Sequence, residues 1–119
     1  MVGGMIPALC ALPVAIALVA AAPAAASTAT LHVTPAAAAR GTVVTFTGSG
    51  CTAGDTVFLI SRLFPGHAYG VGAISTRARA NGHFLRRFRI QLSTPRRRYG
   101  ITARCGGGNL GIVVHVRVR

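Results

Sequence analysis

The chain has 119 residues and a mass of 12.2 kDa, room for one domain. Thirteen Arg and no Lys face a single acid, Asp55, for a formal charge of +12. That balance excludes a carboxylate-pair hydrolase and a carboxylate-built magnesium or calcium site, both of which need more than one acid. A Ser-His-Asp triad has only Asp55 to draw on. Apolar residues make up 51% of the chain, so the composition is that of a folded protein despite the charge.

Met1 to Ala26 carries no charged side chain, and Ile6 to Ala22 is a nearly unbroken apolar run. It ends in Pro23-Ala24-Ala25-Ala26-Ser27, where Ala24 and Ala26 are the small residues a signal peptidase accepts. The expectation is a secretory signal peptide over 1–26, cleaved after Ala26, and a mature domain over 27–119. A retained membrane anchor is the alternative, weakened by Pro7, Pro13 and Pro23 within the run. Cys10 is not a lipidation site, because Pro7-Ala8-Leu9 before it lacks the lipobox shape.

Once Cys10 has left with the signal, Cys51 and Cys105 remain as an even pair. Outside the cytosol such a pair is expected to be a disulfide. The mature protein is then secreted or held at the cell envelope.

Period-2 alternation recurs along the mature chain, and helical periodicity persists nowhere. Thr30-Leu31-His32-Val33-Thr34 is a first strand closed by Pro35. Ala36 to Ala39 reads as a loop, too short to nucleate a helix. Thr42 to Thr47 is a strand with Val44 and Phe46 on one face, and Gly48 to Asp55 is turn chemistry. Thr56 to Leu63 is apolar on both faces and so belongs inside a sheet. Phe64 to Gly70 is an exposed loop. Ala73 to Arg79 alternates again and meets Asn81-Gly82, the strongest short hairpin signal.

The next strand sets Phe84, Phe88, Ile90 and Leu92 against Leu85, Arg87, Arg89 and Gln91. Arg86 interrupts the apolar row and points to a bulge or a sheet edge. Pro95 and Arg96-Arg97-Arg98 form a turn. Tyr99 to Cys105 is the sixth strand, Gly106 to Asn109 a turn, and Ile112 to Val118 the last strand. Seven short strands with turns between them predict an all-β sandwich.

Several stretches carry a resemblance. Leu31 to Pro35, Gly41 to Cys51 and Ala53 to Val57 look like the opening of bacterial secreted immunoglobulin-like domains. Ala78 to Phe84 and Tyr99 to Cys105 are similar to later parts of that family. The outline also resembles the neocarzinostatin family of chromophore-carrying apoproteins, which are seven-stranded sandwiches. This implies a seven-stranded immunoglobulin-like β-sandwich. Departures are Arg79 where the family hairpin has an acid, the lack of a second disulfide, and the absence of Trp. The resemblance is one of fold, and a sandwich hosts many functions.

Asp55 is expected to stabilise its own turn rather than act as a catalytic acid. His32, His67, His83 and His115 lack metal-ligand spacing, although His32 and His115 become neighbours if the first and last strands pair. Neither a cofactor nor a catalytic residue is expected. The arginines stand above background. Arg77 and Arg79 on one strand, with Arg87 and Arg89 on its hairpin partner, are expected to share an outward face, with Arg96, Arg97 and Arg98 at its rim. Such a face suits anionic envelope polymers or acidic lipid headgroups. Sequence-specific nucleic-acid recognition is not expected, because Phe46, Phe84 and Phe88 are assigned to the core. The expectation is therefore a non-enzymatic binding or structural module. The alternative is a neocarzinostatin-like carrier of a small apolar ligand.

Overall fold

A computed structural model describes residues 29–66 and 71–119. The expected signal peptide, its cleavage site and His67 lie outside the described residues. The described residues form eight strands: β1 (Thr30–Thr34), β2 (Ala37–Ala38), β3 (Val43–Ser49), β4 (Thr56–Ser61), β5 (Gly72–Arg77), β6 (Phe84–Arg89), β7 (Arg98–Cys105) and β8 (Gly108–Val118). No helix occurs among the described residues. The count is eight rather than seven because Ala37–Ala38, expected within a loop, pairs in parallel with Arg117 and Val118 of β8. Two residues are too few to show an alternation, so this strand had no sequence signal.

The strands form a three-stranded sheet, order β1-β3-β6, and a five-stranded sheet, order β2-β8-β7-β4-β5. Alternation on each strand fills the space between them. Val44 and Phe46 from one sheet meet Val57, Leu59, Ile101 and Val116 from the other, all fully buried. Phe64, expected at the start of an exposed loop, is instead buried and stands edge-on to both Phe46 and Phe88, with centroids 5.6 and 4.9 Å apart. β4 lies between β7 and β5, inside the sheet as expected, but only one of its faces is buried: Phe58 on the other is exposed.

The disulfide forms as expected: Cys51 follows β3 and Cys105 ends β7, with Cα atoms 5.9 Å apart. It ties one sheet to the other at one end of the sandwich.

Three further expectations are corrected. Asn81-Gly82 does not close a hairpin, because β5 belongs to the five-stranded sheet and β6 to the three-stranded one. The turn is a corner between sheets. It is closed by the Gly82 amide on the Arg79 carbonyl (2.9 Å) and the Arg79 amide on the His83 carbonyl (2.8 Å). Its chemistry suits either use, and the β3–β6 pairing decides between them. His32 and His115 do not meet either. Both are exposed, His32 on the outside of one sheet and His115 on the outside of the other. Leu92, expected in the inward row, is 76% exposed because β6 ends at Arg89 and the chain turns at Gln91–Thr94.

No bulge lies at Arg86 and the strand does not end there: β6 is an edge strand whose pairing with β3 continues past Arg86 in unbroken register. An inward-directed charge on an edge strand discourages pairing with another chain.

Gly82 is held at φ +81°, and a Cβ there would stand 2.5 Å from the Cys51 carbonyl oxygen. Gly82→Ala is therefore expected to cost roughly 2–3 kcal/mol, from left-handed strain plus the backbone clash. Denaturant unfolding of the variant checks this.

Candidate anion-binding pole

Strand direction sorts the arginines by end. β3 starts where β6 stops, since Val43 pairs with Arg89, and β7 starts where β8 stops, since Arg98 pairs with Arg117. The turn before β3 carries Arg40, the turn after β4 carries Arg62, and the β6–β7 loop carries Arg96 and Arg97. Arg119 follows β8 and its amide bonds the Ala38 carbonyl at 3.0 Å. Arg40, Arg62, Arg89, Arg96, Arg97, Arg98, Arg117 and Arg119 thus gather at one pole, eight of thirteen. The single acid, Asp55, lies at the opposite pole, where its amide closes a turn on Thr52 at 3.0 Å and its carboxylate lies against Gly106. Asp55 sits in a turn, but the bond that closes it comes from its backbone amide rather than from its carboxylate.

The expected hairpin face does not exist. Arg77 ends β5 on the outside of the five-stranded sheet, and Arg79 sits in the corner beyond it. Arg87 and Arg89 point outward from the three-stranded sheet. Arg77 and Arg79 share the far pole with Arg104, whereas Arg89 joins Arg96, Arg97 and Arg98 at the basic one. Arg40, Arg62, Arg117 and Arg119 were not among the expected residues. The signal was available in principle: in antiparallel strands, alternate connections fall at the same end.

Local bonds fix this pole. Arg40 donates from its guanidinium to the Leu92 carbonyl (3.4 Å), and Arg89 to the Gly41 carbonyl (2.6 Å). The Val118 amide bonds the Arg97 carbonyl at 2.9 Å, which pins the loop to the end of β8. The Tyr99 hydroxyl donates to the Pro95 carbonyl at 2.6 Å, and the Arg97 guanidinium stands 5.9 Å from the Tyr99 ring centroid. Arg62, Arg97 and Arg98 line one concavity of about 350 Å³ together with Ile60, Tyr99 and Thr102. Exposed Arg98 and Arg117 face each other across strands. Like charges so placed repel, and an anion between them relieves the repulsion.

Two other concavities lie elsewhere. One of about 380 Å³, on the three-stranded sheet, is lined by His32, His83, Arg79 and the Thr30 and Thr47 side chains. Another of about 330 Å³, outside the five-stranded sheet, is lined by Phe58, Ile60, Ala73 and Arg104. No group of three or more His, Cys, Asp or Glu able to hold a metal occurs among the described residues.

No protein-family model and no curated protein matches the chain. Among solved structures it is similar to macromomycin, a neocarzinostatin-family protein, with a TM-score of 0.55 and 15% identity. The match covers 76% of this chain and 99% of that one. A further match is the Pseudomonas fluorescens alkylpurine DNA glycosylase AlkC, bound to DNA containing an abasic site analog. Its TM-score is 0.47 and its identity 21%, over 77% of this chain and 30% of that one. The likeness to macromomycin is one of fold: an all-β, neocarzinostatin-like sandwich.

Proposed function

We propose that this chain is a non-enzymatic binding module, exported to the cell envelope, that holds polyanionic partners by charge at its arginine pole. The observation that carries the reading is the gathering of eight arginines on the loops of one end, with the only acid at the other. Guanidinium forks fit phosphate and carboxylate oxygens, the groups that anionic envelope polymers and acidic lipid headgroups present. The cystine and the sandwich fold agree with an oxidising compartment. Base-stacking recognition is not part of the reading. Phe46, Phe64 and Phe84 are buried, and exposed Phe58 sits in register with Arg104, away from the pole.

A second reading, a carrier of a small apolar ligand, is favoured by the concavity at Phe58, Ile60 and Ala73 together with the fold likeness. The two readings separate in one titration series. A soluble anionic polysaccharide is titrated at roughly 50 and 200 mM salt, beside an apolar fluorescent probe. Polyanion binding that weakens steeply with salt is the expected result. Absence of polyanion binding at low salt, with the apolar probe bound, would favour the carrier.

A further inference from the structure

Leu92 is 76% exposed, more than Val43, Phe58, Leu85 or Val113, the other exposed large apolar residues among those described. A single exposed leucine is ordinary on a soluble protein. Its setting is not. Leu92 lies on the loop between β6 and β7, which runs from Arg89 to Arg96, Arg97 and Arg98 at the basic pole.

The loop is held rather than free. Ile90 at its base is fully buried, and Thr94 is buried with its amide on the Gln91 carbonyl at 3.1 Å. Arg40 grips the Leu92 carbonyl, and the Leu92 side chain packs so close to Gly41 that a Cβ there would stand 3.0 Å from Leu92 Cδ2. Val43, also exposed, follows on the same turn and pairs with Arg89. The loop thus offers an exposed apolar tip with cationic shoulders: Arg40 on its carbonyl, and Arg89 and Arg96-Arg97 before and after it in the chain.

A soluble polyanion has use for the shoulders but not for the tip. An anionic bilayer uses both, because interfacial affinity rises with buried apolar area and with attraction to acidic headgroups. We infer that the Leu92 loop seats the pole on an anionic phospholipid bilayer, with Leu92 entering the acyl boundary and the arginines meeting headgroup phosphates. This rests on the charge reading of the pole and narrows its partner to a membrane surface.

The test uses the chain with vesicles of phosphatidylcholine alone, vesicles of phosphatidylcholine mixed with phosphatidylglycerol, and soluble polyphosphate. Wild type is expected to bind the mixed vesicles and polyphosphate, and to leave neutral vesicles unbound. Leu92→Ser, a change at an exposed site, should bind mixed vesicles about tenfold more weakly and polyphosphate unchanged. The chain has no Trp, so Leu92→Trp supplies a sole reporter. Its emission should shift to the blue on mixed vesicles and stay unshifted on polyphosphate. Equal vesicle affinity for wild type and Leu92→Ser, or an unshifted Leu92→Trp emission on bound vesicles, would overturn the inference. So would binding of polyphosphate without binding of vesicles, which leaves the charge reading intact. Failure to bind either probe at low salt would overturn both.

Discussion

Replacing Arg96, Arg97, Arg98 and Arg117 together by Gln should lower affinity for an anionic surface by roughly a hundredfold to a thousandfold at low salt. The slope of log K against log salt should fall by about 3, since each lost contact removes about 0.7–0.9. Stability should not fall with it. All four side chains are exposed, and the change also removes the repulsion between Arg98 and its cross-strand neighbour Arg117. Thermal unfolding at or slightly above the wild-type midpoint, alongside weakened binding, is the expected pair of results. A large loss of stability would instead assign these arginines a structural role that their exposure does not suggest.

The second large effect concerns the cystine. Replacing Cys51 and Cys105 by Ala opens a loop of 54 residue steps. In the chain-entropy treatment the bond is worth roughly 4 kcal/mol, acting mainly on the unfolded state. A domain of this size has a net stability of only about 5–15 kcal/mol, so the loss is a large share. Denaturant unfolding should show a much lower midpoint for the double variant. A change under about 1 kcal/mol would mean that the unfolded chain already keeps these segments together.

The strands were legible because each buries one face, so that Val44 and Phe46, or Val116 and Val118, recur with period 2. Turn chemistry was legible too, but partner choice was not. Gly82 supplies its positive φ whether the chain folds back on the same sheet or crosses to the other. What decides is that Phe84 and Phe88 face the core from a strand paired with β3, a long-range fact absent from a local window. The misplaced arginine face follows from that single point: once β5 and β6 part, Arg77 and Arg87 part with them. Leu92 was misread for a related reason. Alternation was carried past Arg89, where the ladder ends and parity no longer assigns a face. Of the basic pole, Arg96-Arg97-Arg98 was visible as a run, while Arg40, Arg62 and Arg119 are single residues on separate turns that only the topology joins.

On the function proposed for the pole, position rather than total charge holds the partner. This is tested most directly by two variants of equal charge, Arg96, Arg97 and Arg98 changed to Gln in one, and Arg77, Arg79 and Arg104, all at the far pole, in the other. Both are titrated against the same anionic polysaccharide at the same low salt. The first is expected to lose most of its affinity and the second to stay within about threefold of wild type, because its arginines lie off the pole. Equal losses in the two would contradict it and leave net charge alone as the cause of binding.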